Sequence, residues 1–178
     1  MAVLTESRTG LPAGNWALDP VHSTIGFELP YLAGTFRGHF TDVDAKLTAA
    51  SLTGGARVAS VDVKDENLAG HLQSPEFFDA ERHPELTFTS SSIERDGESL
   101  KVGGELTIRG ITNPVELAGT IAGPITDAFG NERVNLTLET RVDRTEFGLS
   151  WNMPLPNGQP ALQNEVKLVA ELYFVQGA

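Results

Sequence analysis

The sequence predicts an all-β fold: an extended, eight-stranded antiparallel barrel with a short helical insert around residues 66–82. Three observations lead there. Apolar and polar residues alternate with a period of two along most of the chain, the pattern of half-buried antiparallel strands. Turn residues punctuate the alternating runs. The 178 residues suit one domain whose strands consume nearly all of it. Closing such strands into a barrel removes the edges that an open sheet exposes. A β-sandwich is the rival architecture, because composition is alike for both.

Residues 1–14 read as a polar lead, with a single barrel domain over 15–176. Ile25, Phe27 and Leu29 alternate with Thr24, Gly26 and Glu28 in the first clear strand. Phe36 and Phe40 then occupy even positions, whereas Val43, Ala45 and Leu47 occupy odd ones. Side chains cannot change faces within a regular strand, so a bulge or bend near Thr41-Asp42 is required. Corners of this kind curl a sheet into a barrel. Leu52-Thr53-Gly54-Gly55 reads as a turn, as do Arg95-Asp96-Gly97, Gly110-Ile111-Thr112-Asn113-Pro114 and Phe129-Gly130-Asn131.

The helical insert lies within 66–84. Ser74, Pro75 and Glu76 read as an N-cap, a first-turn proline and an acid beside it. That turn presents Phe77 and Phe78 and ends before Pro84, while Leu68 and Leu72 mark another short turn ahead of it. Beyond it, Leu100, Val102, Leu106 and Ile108 form a stripe, followed by Val134, Leu136 and Leu138. Phe147, Leu149 and Trp151 read as a further strand, and Val166, Leu168, Ala170 and Leu172 as the last. Gly103-Gly104 falls inside a strand pattern, where a bulge or close packing is expected rather than a phosphate cradle.

Composition narrows the function. With 13 basic and 24 acidic residues the formal charge is −11, and the pI is near 4.7. That balance argues against nucleic acid or anionic lipid as a partner, since both need basic patches. An apolar fraction of 40% is enough to bury a core and argues against a disordered chain. No cysteine is present, which excludes disulfides, thiolate metal sites, iron–sulfur clusters and a cysteine nucleophile. There is no signal-peptide run at the N-terminus and no apolar stretch of membrane-spanning length, so the expected location is cytoplasmic.

Candidate sites are few. His22, His39, His71 and His83 lack the spacing of a metal-ligand set, although His22 and His39 could meet across neighbouring strands. His22 and Ser23 are adjacent, so on a strand they face opposite ways and cannot act as base and nucleophile. No nucleophile elbow, phosphate loop or dinucleotide fingerprint occurs, and no enzyme activity is expected. Phe27, Phe36, Phe40, Phe77, Phe78, Phe88, Phe147 and Trp151 either fill the core or line an internal tunnel. A barrel of this size has an axis of about 25–30 Å, which suits one elongated apolar ligand.

Several blocks in register carry a resemblance. Trp16-Ala17-Leu18-Asp19-Pro20-Val21-His22-Ser23-Thr24-Ile25-Gly26-Phe27 is followed by Gly34-Thr35-Phe36 and Phe40. His71-Leu72-Gln73-Ser74-Pro75-Glu76-Phe77-Phe78-Asp79 and Pro84-Glu85-Leu86-Thr87-Phe88-Thr89-Ser90 come next. Gly104-Glu105-Leu106-Thr107-Ile108-Arg109-Gly110-Ile111-Thr112-Asn113-Pro114-Val115 and Asp143-Arg144-Thr145-Glu146-Phe147-Gly148 complete the series. Together they resemble the YceI-like family over about residues 15–175. Gly14-Asn15-Trp16 also resembles the Gly-x-Trp at the closed end of lipocalins, with Trp16 as a barrel-end plug.

The resemblance implies a lipocalin-like barrel that stores or transports an isoprenoid-like or other amphiphilic lipid without catalysis, and a homodimer. Many relatives are periplasmic, a point from which this chain departs by lacking a visible signal. No cofactor is implied beyond a co-purifying isoprenoid or fatty-acid-like molecule, such as a polyprenyl chain or a quinone. The implied lining is Ile25, Phe27, Leu29, Phe36, Phe40, Phe77, Phe78, Phe88, Leu106, Ile108, Leu136, Phe147, Leu149, Trp151 and Leu168. Arg144 is the candidate for a head group, its planar fork suiting a phosphate, and Arg37 is the second. A surface ion pair is the plainer role for each. The competing function is a stress-related or interaction domain with a packed barrel, and after it a hydrolase.

Overall fold

Alternation becomes strand along most of its length in the computed structural model, which describes residues 10–177. In chain order the strands are β1 (Asn15–Leu18), β2 (Thr24–Tyr31), β3 (Gly34–Phe40), β4 (Val43–Thr48), β5 (Leu52–Arg57) and β6 (Val61–Asp62). After helix α1 (Glu66–Gln73) come β7 (Glu85–Asp96), β8 (Ser99–Ile108), β9 (Ile111–Thr126), β10 (Glu132–Asp143) and β11 (Glu165–Gln176). Short 3-10 turns occupy Val58–Ser60 and Arg144–Phe147.

Eight strands close a ring in the order β1, β4, β5, β7, β8, β9, β10, β11 and back to β1, all pairings antiparallel. β11 is long enough to hold two partners on one edge. Its Phe174–Gln176 stretch pairs with β1, and its Lys167–Glu171 stretch pairs with β2. From β2 the sheet continues to β3 and then β6, whose ladder partner is β3. At the β1 end the ring is therefore sealed by strand pairing. At the other end, α1 and the segment 74–84 fill the space between β6 and β7, burying Leu72 and Phe77.

Two cores follow from this geometry. The sealed end packs Trp16, Leu47, Leu52, Val102, Ile121, Leu136 and Phe174, with the Trp16 indole N–H donating to the Ala13 carbonyl at 3.2 Å. The plugged end gathers Phe27, Phe40, Leu72, Phe77, Leu106, Phe147 and Leu149.

Two local expectations meet the structure well. The face change near Thr41-Asp42 is a corner between β3 and β4, where Thr41 N–H donates to Ser60 O and Asp42 O accepts from Arg57 N–H. Gly103 and Gly104 oppose a register shift between Ser90 and Ser92. A Cβ on Gly104 would strike the Phe88 ring at 2.7 Å.

Four others need correction. Leu52-Thr53-Gly54-Gly55 is not a turn but the start of β5. A Cβ on Gly55 would lie 2.8 Å from Leu86 O, so this glycine serves close strand approach. Asn113-Pro114 lies within β9, on a stretch paired with β8 but beyond the β10 ladder, where a missing N–H costs nothing. Ser74 ends a helix rather than starting one. Asp65 is the N-cap of α1, its carboxylate accepting from Asn67 and Leu68 N–H, and Ser74 is the C-cap. Leu68 and Leu72 belong to that helix, whereas Phe77 and Phe78 sit in the turn after it. Finally, Phe147, Leu149 and Trp151 form no strand: Asp143 caps a 3-10 turn through Phe147, and Gly148 closes it in the left-handed region at φ 77°.

Candidate functional site

The plugged half is hollow. A cavity of about 440 Å³ runs inside it along β11 from Val166 to Leu172, a length on the order of 20 Å at ~3.3 Å per residue. β2 and β3 supply Ile25, Phe27, Leu29, Phe36 and Phe40 to its wall, in the registers Ile25 to Phe40 and Leu29 to Phe36. Phe27 faces Gly38, the residue between them, and a Cβ there would collide with its ring and with Val63 at 2.8 Å. The plug contributes Phe77 and Phe78, β7 Phe88, and β8 Leu106 and Ile108. Phe147, Leu149 and Trp151 come from the 3-10 turn and the loop after it, and Leu168 comes from β11. Tyr31 and Met153 border both cavity and solvent and so mark its mouth.

Leu136 is the exception among the expected lining residues. It packs fully buried in the sealed core, opposite Leu172, while Leu138 and Val142 on the same face of β10 reach the cavity. Period-two alternation gives the face of a strand but not the height along the barrel axis. Leu72, Leu86, Leu117, Val166 and Leu162 also line the wall and were not among the expected lining residues. For Leu86, Leu117 and Val166 the signal was there, in the parity they share with strand neighbours.

Arg144 is buried, 4% exposed, on the cavity wall. Its Nε donates to Gln163 O at 3.0 Å, and Nη1 to Leu149 O at 2.5 Å and Trp151 O at 2.8 Å. Nη2 is buried with no hydrogen-bond partner. Burial pushes the guanidinium pKa down, opposed by the neighbouring Asp143 carboxylate. Among the lining residues Arg144 is the one with a permanent charge. The expected fork is therefore spent on backbone. Arg37 lies outside the site, its Nε donating to Glu28 at 3.1 Å on the surface.

Arg109, outside the cavity wall, has a larger part than Arg37. It occupies the β8–β9 turn at φ 53° beside Gly110 at φ 72°, the positive-φ pair of a type I′ hairpin. From there Nη1 donates to Gly148 O and Nη2 to Pro75 O at 2.7 Å. One side chain thus straps the 3-10 turn to the plug. No sequence period announces such a contact.

The histidines scatter. His22 pairs with Asp19 at 2.7 Å and His39 with Asp62 at 3.7 Å. His71 meets Glu76 at 2.7 Å and packs edge-on against Phe77 and Trp151, with centroids 4.9 and 4.8 Å away. Ser23 Oγ accepts from Tyr173 N–H at 2.9 Å. Among the described residues no three histidine or carboxylate side chains converge as a metal site.

Comparison with known proteins places this architecture. Residues 16–174 match the model of the YceI-like domain. Protein YceI of Escherichia coli O157:H7 is 29% identical over 163 residues, which is 87% of this chain and 82% of that protein. The crystal structure of Burkholderia cenocepacia BcnA is similar with a TM-score of 0.76 at 22% identity, covering 88% of this chain and 98% of the other. A polyisoprenoid binding domain from Saccharophagus degradans gives a TM-score of 0.67 at 13% identity, over 91% and 98%.

Proposed function

This chain belongs to the YceI-like family, and from that membership and the hollow half of its barrel we propose that it holds one amphiphilic, isoprenoid-like lipid without chemically changing it. The cavity carries the reading. Its volume falls in the range of about 300–1,000 Å³ typical of small-molecule sites, and its wall is built from aliphatic and aromatic side chains. A packed interaction module would have filled that space with its own side chains, as the sealed half does. The polyisoprenoid-binding description of the Saccharophagus degradans domain supports the same ligand class.

Apolar burial is sufficient for retention. At about 0.3 kcal/mol per heavy atom, one isoprene unit contributes about 1.5 kcal/mol. Five or six such units give about −8 kcal/mol, a micromolar dissociation constant. A binding reading is supported by the wall: among the described residues no serine lines the cavity beside its imidazole, His71.

Native mass spectrometry of the purified protein, followed by organic extraction, tests this. The expected result is one lipid per chain, and its loss in Leu168→Trp, which fills the lumen opposite Phe27. A chain that neither arrives loaded nor takes up an added prenyl quinone overturns it.

A further inference from the structure

Charge is missing from one region of this acidic chain. Residues 147–164 form its longest uncharged run, and residues 29–36 carry no charge either. The fold sets the two side by side at the mouth of the cavity. Tyr31 bridges to Leu162. The connection between β10 and β11 doubles back on itself there, with Pro154 opposite Pro160 and Ala161 N–H donating to Met153 O at 2.9 Å. Tyr31, Leu32 and Met153 are exposed on this rim, and Tyr31, Met153 and Leu162 also border the cavity. Resting on the lipid-binding reading above, we infer that the rim docks on the surface of a lipid bilayer with neutral headgroups, which sets the cavity mouth against the source of its occupant.

Three observations point to a lipid surface. First, the doubled-back loop withholds its backbone donors from whatever covers it. Between Met153 and Leu162, the prolines at 154, 156 and 160 have no N–H. Leu155, Gly158 and Ala161 donate to loop carbonyls, and Met153, Gln159 and Leu162 to the side-chain oxygens of Asn152 and Asn157, which leaves Asn157 N–H at the tip. A loop in water can leave its donors to solvent, whereas one facing an apolar medium must satisfy them internally. Second, Leu32 stands at φ 52° in the two-residue turn between β2 and β3. A bulky side chain at positive φ is uncommon. Here it is also exposed, so the fold gains no burial in return. Third, charge resumes beside the rim as ion pairs, Glu28 with Arg37 and Arg141 with Glu165, each at 3.1 Å.

Neutral headgroups follow from the charge pattern. Anionic surfaces attract clusters of lysine and arginine. The two rim segments have none, and the whole chain carries −11. A second exposed apolar group, Val21, Ile125 and Phe129, lies at the sealed end. Asp19, Asp127 and Arg133 stand among those side chains, and none of the six borders the cavity. Only the mouth offers an uncharged apolar face that continues into the lumen.

Flotation of the whole protein with vesicles tests this. Phosphatidylcholine vesicles should carry the protein upward. Vesicles of equal parts phosphatidylcholine and phosphatidylglycerol should bind it about fivefold more weakly, the effect of one like charge held near the surface. Asparagine tolerates positive φ, so Leu32→Asn should keep the melting temperature. It should weaken vesicle binding about tenfold, the loss of one leucine from the bilayer. Met153→Glu should weaken it at least as much, because a carboxylate resists leaving water. Failure to bind phosphatidylcholine, tighter binding to the anionic vesicles, or unchanged binding by both variants overturns the inference. Self-association that both variants abolish, without vesicle binding, assigns the rim to a second copy and overturns it too. Leu168→Trp separates the two readings, since a filled lumen should still dock. Lipid in organic extracts without vesicle binding sinks the docking alone. Vesicle binding by a chain that never holds lipid keeps the docking and sinks the lipid-binding reading.

Discussion

The two halves of this barrel are built from the same strands, yet one is solid and the other hollow. At the sealed end β1 bridges β11 and β4, so every neighbour is a strand and facing side chains interdigitate. At the plugged end α1, the turn after it and the 3-10 segment stand in for a strand. Irregular elements cover the opening without reaching down into it, and the space beneath remains. Each half also has its arginine. Arg133 at the sealed end is held by two carboxylates, Asp127 at 2.6 Å and Asp19 at 3.1 Å. Arg144 at the plugged end is held by three neutral carbonyls. Strand closure leaves a packed core at one end, and the plug leaves a cavity at the other.

Truncation should separate the halves most strongly. Leu136→Ala removes a fully buried side chain from the solid core and should cost about 2–5 kcal/mol. Leu168→Ala trims a wall that already faces a void, so its loss should be less than half as large. Urea unfolding of both variants checks this, and equal losses would break the contrast. Gly38→Ala comes next. Its methyl group would meet the Phe27 ring and Val63, so about 1–3 kcal/mol is expected from overpacking. The displaced ring should also narrow the lumen, seen as reduced lipid in organic extracts. Full lipid content at reduced stability would mean that Phe27 yields sideways.

Much of the fold, though not this contrast, was legible in the sequence. The barrel, the corner at Thr41-Asp42 and the strand glycines at 103–104 followed from parity and steric need, which are local properties. Leu136 was misplaced because parity fixes a face and not a height. The stripe at Phe147, Leu149 and Trp151 looked like a strand because spacing by two cannot exclude a 3-10 turn followed by coil. The cap of α1 was sought at Ser74 because proline after serine is a start signal, whereas Asp65 supplied the better acceptor. The contacts of Arg109 and Arg144 were beyond any local rule. Both depend on carbonyls 34 to 39 residues away for Arg109, and on a loop folded back for Arg144.

Arg109 offers the next way to sharpen the comparison. Arg109→Met removes the donors that tie Gly148 O to Pro75 O. A loss of about 1–2 kcal/mol is expected, confined to the plug. Hydrogen exchange should quicken in residues 74–84 and 144–149 while β1, β10 and the sealed part of β11 keep their protection. Uniform quickening would show that the plug and the sealed core unfold as one unit.

The smallest expected effect concerns acid. At the sealed end the Arg133 guanidinium, with the Asn131 and Phe129 amides, holds the Asp127 carboxyl down to about 2 from an ordinary 3.8. A carboxyl lowered on folding binds fewer protons in the native state than in the unfolded one. Its contribution is therefore complete above pH 3.8 and is lost as pH falls toward 2. The plugged end has one comparable group, Asp143, lowered first by the Thr145 hydroxyl and then by the Thr145 amide rather than by a salt bridge. Arg144 itself leans on carbonyls that do not titrate. Thermal melts between pH 5 and 2 should thus show wild type losing more stability than Asp127→Asn, the two curves converging at the acid limit. Added salt should shrink the difference, because the Asp127–Arg133 pair is a charge interaction near the surface. Parallel curves would mean that hydrogen bonding, which asparagine partly preserves, and not charge, holds the sealed end together.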